Sequence, residues 1–232
     1  MQLAAFQKLT LLDFPGTVAC TVFTKGCNFR CPFCHNASLV VGQTENEPAL
    51  TEETLLSFLE SRTGILEGVA ITGGEPLLQR DMPALLAKIK ALGYKIKLDT
   101  NGSVPDMLEQ LVSAGLVDYV AMDIKNAPEQ YGKTIGKDAF DMTSVTRSKT
   151  FLMEGHVPFE FRTTVVRPLH DKESLTALAK WIAGDESYFL QGFSDSGQLL
   201  AAEGLSAYSE QEMQEFLQCI KTYVPNAQLR GI

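Results

Sequence analysis

The chain has 232 residues and a formal net charge of −8, with 45% hydrophobic and 21% charged residues. This composition is typical of a globular protein, and we interpret residues 1–232 as a single domain. The negative charge argues against broad binding to nucleic acid or to an anionic membrane. No stretch approaches the roughly 20 apolar residues of a membrane helix, and the first ten residues do not resemble a signal peptide, so we expect a cytoplasmic protein.

Segments typical of strands and of helices alternate along the chain. In chain order, the patterns predict a strand at Val18–Thr24, a loop from Cys27 to about Thr51, a helix at Glu52–Arg62, a strand at Val69–Thr72, a helix at Asp81–Leu92, a strand at Lys95–Asp99, a helix at Pro105–Ala114, a strand at Val117–Lys125, a helix within Asp141–Met153, a strand at Phe159–Val166, a helix at Lys172–Ala183, a strand at Tyr188–Phe193, a helix at Ser209–Tyr223 and a short strand near Gln228.

Such an alternation of strands and helices is typical of an α/β fold. We expect a partial (β/α)6 barrel with parallel strands inside and helices outside. Active-site groups of parallel barrels gather at the carboxyl ends of the strands. Polar residues and glycines lie late in a predicted strand or just past one at five places, namely Gly73-Gly74-Glu75, Asp99-Thr100-Asn101, Asp123 with Lys125, Arg162 with Thr164, and Gln191. Each group alone is also explained by a turn or by an ion pair at the rim, but together they predict a site at one end of the sheet.

Three of the five cysteines lie close together, with the spacing C-x3-C-x2-C at Cys27, Cys31 and Cys34. Thiolates this close can share one soft metal centre. A structural zinc ion needs four ligands, and the nearby candidate for the fourth is His35, directly beside Cys34. A [4Fe–4S] cluster usually takes four thiolates, so a cluster on these three keeps an open position on one iron. Spacing alone leaves zinc and the iron–sulfur cluster as alternatives.

The cysteine spacing, with the aromatic Phe33 before the third cysteine, resembles the signature of the radical S-adenosylmethionine (SAM) superfamily. The resemblance implies a barrel of the radical SAM type and a [4Fe–4S] cluster whose metal ligands are Cys27, Cys31 and Cys34. It also implies SAM as a cofactor, chelated to the open iron and cleaved reductively to a 5′-deoxyadenosyl radical. The protein then orients the cofactor, tunes the cluster and excludes water, and no catalytic side chain beyond these groups is predicted.

The same resemblance gives roles to the residues at the strand ends. Glu75 is expected to take the amine of the methionine moiety, Arg162 is a candidate for its carboxylate, and Thr100 and Asn101 are candidates for the ribose. A rim salt bridge is the alternative for Arg162, and a surface position is the alternative for His170. The predicted cofactor-binding residues are Phe33, Gly73, Gly74, Glu75, Thr100, Asn101, Asp123, Lys125, Arg162 and His170.

Two longer stretches, Leu12–Gly16 and Phe23–Asn36, resemble the activating enzymes of glycyl-radical enzymes. The likeness runs from Leu9 to about Gln191 and is greatest to activating proteins of anaerobic ribonucleoside-triphosphate reductase in their longer form. It implies that the radical abstracts a glycine Cα hydrogen on a partner glycyl-radical enzyme. It further implies a flavodoxin- or ferredoxin-type electron donor, and we expect no nucleic-acid or membrane partner.

Two other functions compete with activation of a glycyl-radical enzyme. A radical SAM enzyme similar to 7-carboxy-7-deazaguanine synthase would act on a small molecule, although those enzymes usually have a longer first cysteine spacing. A non-enzymatic iron–sulfur or zinc protein would carry electrons or hold a complex together. Electron carriers generally ligate each iron by cysteine, so three cysteines with polar strand ends favour an enzyme.

Overall fold

A computed structural model describes residues 1–41, 50–184, 187–195, 197 and 199–232. The part of the predicted Cys27–Thr51 loop between residues 42 and 49 lies outside the described residues. The strands are β1 (Leu3–Thr10), β2 (Ala19–Thr24), β3 (Gly68–Gly73), β4 (Lys95–Thr100), β5 (Tyr119–Asp123), β6 (Phe159–Val165), β7 (Tyr188–Gly192) and β8 (Gln228–Arg230). The helices are α1 (Ala37–Val41), α2 (Glu52–Glu60), α3 (Met82–Ala91), α4 (Pro105–Ser113), α5 (Pro128–Thr134), α6 (Thr143–Met153), α7 (Lys172–Trp181) and α8 (Glu210–Ile220).

The strands form one sheet in which spatial order follows chain order from β1 to β8. Every pair from β2·β3 to β7·β8 is parallel, whereas β1 pairs antiparallel with β2. The sheet is not closed, because β1 and β8 form its two edges. The predicted α/β fold, a partial barrel with parallel strands, is therefore confirmed, with β1 as an added antiparallel edge strand. The sheet takes strands from both ends of the chain, and the single domain stays a prediction.

The helices pack their apolar faces against the outside of the sheet. On α3, the residues at helical spacing, Met82, Leu85, Leu86 and Ile89, are all fully buried. Burial of a leucine or methionine side chain contributes about 1.5–3 kcal/mol each, so the apolar face of this helix stabilises its position on the sheet. Among the described residues, no helix is long and apolar enough to cross a membrane.

Several predicted boundaries differ from the observed ones. The chain also forms β1, α1, α5 and a 3-10 helix at Pro76–Leu78, none of which the sequence patterns predict. Strand β5 ends at Asp123 rather than at Lys125. The N–H of Ile124 still donates to the carbonyl oxygen of Arg162, at 2.9 Å, so contact with β6 continues one residue past the strand. Lys125 thus follows the strand end and stays close to it.

Candidate functional site

The carboxyl ends of β3 to β6 line a cavity whose wall also carries the three clustered cysteines of the loop after β2. All of the predicted ligands and cofactor-binding residues line this cavity except Glu75 and His170. Strand register explains the convergence of the polar groups, since Asp123 on β5 pairs directly with Arg162 on β6. The structure thus brings together, at one end of the sheet, residues that the sequence spreads over more than 130 positions.

The loop that carries the cysteines is held by backbone hydrogen bonds. Gly26 N donates to the carbonyl oxygen of Leu39 at 2.8 Å, and Cys34 N donates to that of Cys31 at 3.0 Å. Within the loop, the N–H of Phe29 donates to Sγ of Cys27 at 3.4 Å. An N–H directed at a sulfur stabilises the thiolate form, so the loop backbone favours the state in which Cys27 can bind a metal.

The three cysteines are free thiols in partly or fully buried positions. Burial raises the pKa of Cys31 to about 12, and it also raises the pKa of Cys27. The nearby ammonium of Lys125 acts in the opposite direction on both thiols. A metal centre bound here must therefore displace protons from the thiols, as is general for cysteine ligands.

His35 is directed away from a role as a fourth zinc ligand. Its Nε2 lies 2.6 Å from the carbonyl oxygen of Ser194, and its ring stacks on Phe193 with a centroid distance of 5.8 Å. Within the described part of the chain, no three His, Cys, Asp or Glu side chains are placed to hold a single metal ion. A cubane cluster binds each thiolate through a different iron, and three thiols that line one cavity suit such a cluster.

The two glycines after β3 are required by the backbone of the cysteine loop. A Cβ on Gly73, whose φ is +118°, would lie 2.3 Å from the backbone nitrogen of Thr24. A Cβ on Gly74 would lie 2.0 Å from the carbonyl oxygen of Gly26. Both glycines were predicted as cofactor-binding residues. The structure adds a further reason for them, because they let the end of β3 pack against β2 and the start of the cysteine loop.

Glu75 lies behind the cavity wall and is fully buried. Its carboxylate accepts hydrogen bonds from Leu77 N at 3.0 Å, from Thr100 Oγ1 at 2.8 Å and from Asn101 N at 2.7 Å. Burial raises the pKa of Glu75 to about 7, although these three donors oppose the shift. Protein donors reach both oxygens and Glu75 does not line the cavity, so the expected contact with an amine stays a prediction.

Asn101 connects Glu75 to the cysteine loop. Its Nδ2 lies 3.0 Å from Oδ1 of Asn28 and 3.9 Å from Sγ of Cys27, while its Oδ1 accepts from Ser103 N at 2.9 Å. The side chain thus makes protein contacts on both of its polar atoms. The predicted contact of Thr100 and Asn101 with a ribose stays a prediction, which their position in the cavity wall permits.

Five side chains of alternating charge form a continuous series, which we call the charge series: Lys97, Asp99, Arg162, Asp123 and Lys125. Lys97 bonds to Asp99, and Nη2 of Arg162 lies 3.6 Å from the other oxygen of Asp99. Nε of Arg162 lies 3.0 Å from Asp123, whose second oxygen lies 2.9 Å from Nζ of Lys125. Arg162 was expected to need the carboxylate of a ligand as its anion, but two protein carboxylates already serve it.

The ion pairs of the charge series keep Asp123 and Lys125 charged. Burial favours the neutral form of Asp123, but Arg162 and Lys125 outweigh this effect and hold its pKa at about 2. Burial likewise disfavours the charge on Lys125, but Asp123 outweighs it and raises the pKa of the ammonium. All five groups are thus paired, and those that line the cavity present fixed charges to any ligand.

His170 is not on the surface, which corrects that alternative, and it does not line the cavity, so its expected role at the cofactor stays a prediction. The side chain is fully buried, with Nε2 2.8 Å from the carbonyl oxygen of Lys125. Its Nδ1 accepts from Val166 N at 3.2 Å, so the proton lies on Nε2. Burial lowers the pKa of His170, which keeps the ring neutral. The ring also packs edge-on against Phe33, with centroids 6.3 Å apart, so His170 supports two cavity residues from behind.

The sequence interpretation missed Lys97, which is 1% exposed and reaches the site through Asp99. The available signal was the spacing of two residues on a strand, which puts Lys97 and Asp99 on the same face of the sheet. It also missed Phe29, which lines the cavity between two cysteines and packs edge-on against Phe140 at 5.4 Å.

Solved structures with the same fold extend over most of this chain. A radical SAM methyltransferase from Sphaerobacter thermophilus matches with a TM-score of 0.74 and 14% identity, covering 96% of this chain and 68% of that one. Streptococcus suis SuiB bound to S-adenosylmethionine matches with a TM-score of 0.67 and 15% identity, covering 89% of this chain and 48% of that one. At such identities the likeness shows the fold, and this chain spans about half the length of SuiB.

Two kinds of curated relatives match the sequence. A Methanocaldococcus jannaschii protein named "Putative glycyl-radical enzyme activating enzyme" is 28% identical over 229 residues, which is 97% of this chain and 93% of the relative. A Saccharolobus solfataricus protein named "Probable GTP 3′,8-cyclase" is 32% identical over 148 residues, which is 62% of this chain and 46% of the cyclase. The first match is almost end to end, whereas the second covers less than half of the relative.

The sequence model of the Radical SAM superfamily matches residues 21–144, which is more than half of the chain. The matched range contains the three clustered cysteines, the two glycines after β3 and four of the five members of the charge series. The chain therefore belongs to the radical SAM superfamily, whose members are enzymes that use a [4Fe–4S] cluster and S-adenosylmethionine.

Proposed function

We propose that this protein is an activating enzyme that generates a glycyl radical on a partner enzyme. The observation that carries the proposal is the near end-to-end likeness to a protein named as a glycyl-radical enzyme activating enzyme. Full coverage of both chains means that the region outside the shared superfamily core is similar too. Shared chemistry alone would give similarity limited to the part of the chain that holds the cluster.

We assign Cys27, Cys31 and Cys34 as the ligands of the cluster. When bound, the cluster and SAM supply a 5′-deoxyadenosyl radical that can abstract a hydrogen atom. Phe29 and Phe33, each at most 5% exposed, pack beside the cysteines and exclude water from the loop. Exclusion of water protects reactive species from side reactions and strengthens electrostatic interactions inside the cavity.

The remaining assigned residues hold the cofactor in position. Lys125 and Arg162 present fixed positive charge to the cavity, which suits the carboxylate of the methionine moiety even though both cations already have protein partners. Gly73 and Gly74 expose backbone to the cavity, and Thr100 and Asn101 offer hydroxyl and amide groups beside it. Glu75 and His170 contribute from behind the wall as positioning residues.

For the partner, we propose an anaerobic ribonucleoside-triphosphate reductase, on the resemblance of Leu12–Gly16 and Phe23–Asn36 to its activating proteins. A flavodoxin- or ferredoxin-type protein is proposed as the electron donor, because reductive cleavage of SAM requires one electron from outside. A cytoplasmic location accords with three cysteines kept as free thiols.

Transfer of an isotope label tests the proposal. The candidate partner is prepared with α-deuterated glycine and incubated anaerobically with the reconstituted protein, SAM and dithionite. We expect deuterium in 5′-deoxyadenosine, detected by mass spectrometry, and no label when the reactive glycine of the partner is replaced by alanine. Formation of unlabelled 5′-deoxyadenosine with every candidate partner would contradict the proposed substrate while leaving the radical chemistry intact.

A small-molecule substrate is the second candidate, because relatives named as GTP 3′,8-cyclases match 62% of the chain. The same reaction mixture with GTP in place of the partner distinguishes the two. Consumption of GTP that depends on SAM would favour the small-molecule function. Unchanged GTP beside a labelled product from the partner would favour the activating function.

A further inference from the structure

The charge series contains three cations and two anions, all of them paired. Lys97 is the member farthest from the cavity, and its side chain is 2% exposed. The other four members line the cavity, and their charges sum to zero. Lys97 therefore adds one positive charge to four cavity residues whose charges otherwise cancel, in a chain whose formal net charge is −8.

Burial of a lysine ammonium is costly unless a carboxylate accompanies it. Within the described residues, the ion pair of Lys97 is with Asp99, and Asp99 also contacts Arg162. A neutral side chain at position 97 would avoid the cost of burying a charge, and Asp99 would still have Arg162 as its cationic partner. Packing alone thus gives no reason for a lysine at position 97. Its positive charge, in contrast, changes the electrostatic potential in the cavity.

The far end of the charge series reaches the cysteines. Lys125 contacts Asp123, and both side chains line the same cavity as Cys27 and Cys31. Charges in a water-poor interior interact over longer distances than charges at the surface. A positive charge at Lys97, joined to this cavity through Asp99, can therefore act on a group bound between the cysteines.

We propose that Lys97 raises the reduction potential of the cluster held by the three cysteines, as a positioning residue that acts through Asp99 and Arg162. In the step concerned, one electron from an external donor enters the cluster, which becomes more negative by one charge, and no bond forms or breaks. A fixed positive charge stabilises the reduced state more than the oxidised state. This inference rests on the proposed cluster site.

The test compares four variants of the reconstituted full-length protein in redox titrations followed by electron paramagnetic resonance. At pH 8.5 we expect Lys97→Met to lower the reduced-to-oxidised ratio of the cluster about tenfold at a fixed applied potential. Tenfold corresponds to 59 mV for a one-electron couple. Asp99→Asn should shift the ratio in the opposite direction, and the double variant should return it close to that of the wild type. Lys95→Met, at an exposed position of the same strand, should leave it unchanged.

The two single variants give opposite signs only if charge is the cause. Shifts in the same direction, or no shift in either variant, would overturn the inference. If Lys97→Met does not fold, the expected rise of the reduced-to-oxidised ratio in Asp99→Asn still tests the sign of the charge effect. A wild-type protein that binds no cluster would instead refute the proposed cluster site. If the wild type cleaves SAM but the variants show the same reduced-to-oxidised ratio as the wild type, this inference alone is refuted.

Discussion

Glu75→Gln offers a sharp test of how the site is built. In the folded protein the carboxylate accepts three hydrogen bonds, from Leu77 N, Thr100 Oγ1 and Asn101 N. Glutamine has a single acceptor oxygen, so when it serves Leu77 and Thr100 its amide nitrogen faces the N–H of Asn101. One buried donor is then left without an acceptor, which costs about 1–3 kcal/mol.

The effect of the substitution depends on pH, because burial raises the pKa of Glu75 from an ordinary 4.5 to about 7. Between these values the folded state of the wild type holds more protons than the unfolded state. Its free energy of unfolding therefore falls as the pH rises through this window, by roughly 2–3 kcal/mol between pH 5 and pH 8. Glutamine does not titrate, so the variant lacks this contribution.

Urea unfolding of the cluster-free protein under reducing conditions measures both effects. We expect Glu75→Gln to be less stable than the wild type by about 1–3 kcal/mol at pH 5, with the difference vanishing or reversing at pH 8. Glu60→Gln, at an exposed helix end, serves as the control and should show neither effect. A pH-independent difference would refute the raised pKa. Unchanged stability with strongly weakened SAM binding would instead show that the carboxylate binds the amine of the cofactor.

Three further substitutions test other parts of the site. Cys31→Ala should abolish the visible iron–sulfur absorbance after reconstitution, while Cys219→Ala on α8 should keep it; intact absorbance in the first variant would refute the ligand assignment. Gly74→Ala would place a methyl group 2.0 Å from the carbonyl oxygen of Gly26, so we expect lower thermal stability and reduced iron content, and a wild-type melting temperature would contradict the packing argument. Arg162→Met removes the cation between two carboxylates, and we expect the free energy of unfolding at pH 7 to fall by about 3 kcal/mol, with no loss if the pairing is unimportant.

Much of the fold follows from local patterns in the sequence. Apolar runs such as Val69–Thr72 predict buried strands, and apolar residues at helical spacing, as on α3, predict the buried face of a helix. The edge strand β1 was not predicted, because most of its residues are exposed or half-buried and its sequence lacks the apolar run of an interior strand. Helix α5 was not predicted, because it has only seven residues and contains Gly132, which weakens a helical pattern.

The candidate site was partly visible in the sequence for a related reason. Residues such as Thr100 and Asp123 follow recognisable strands, and the carboxyl ends of parallel strands must meet at one end of the sheet. The pairing among these residues was not visible, since it depends on strand register. Arg162 illustrates this limit, because its anionic partners come from β4 and β5 and only the register reveals that they are already present.

Glu75 and His170 show a second limit. Sequence patterns placed both residues beside the cavity, but they do not determine whether a side chain forms the wall or supports it from behind. The hydrogen bonds of Glu75 to Asn101 and of His170 to the carbonyl oxygen of Lys125 settle that distinction. Lys97 was not predicted as a residue of the site, because a lysine on a strand is ordinarily expected to face solvent.

The central claim is that this protein uses its three-cysteine site to place a radical on a partner enzyme. Electron paramagnetic resonance of a candidate partner, after anaerobic incubation with reconstituted protein, SAM and reductant, tests it most directly. We predict a glycyl-radical signal that requires SAM and disappears with Cys31→Ala. Vigorous cleavage of SAM without such a signal on any candidate partner, together with SAM-dependent consumption of GTP, would contradict the claim.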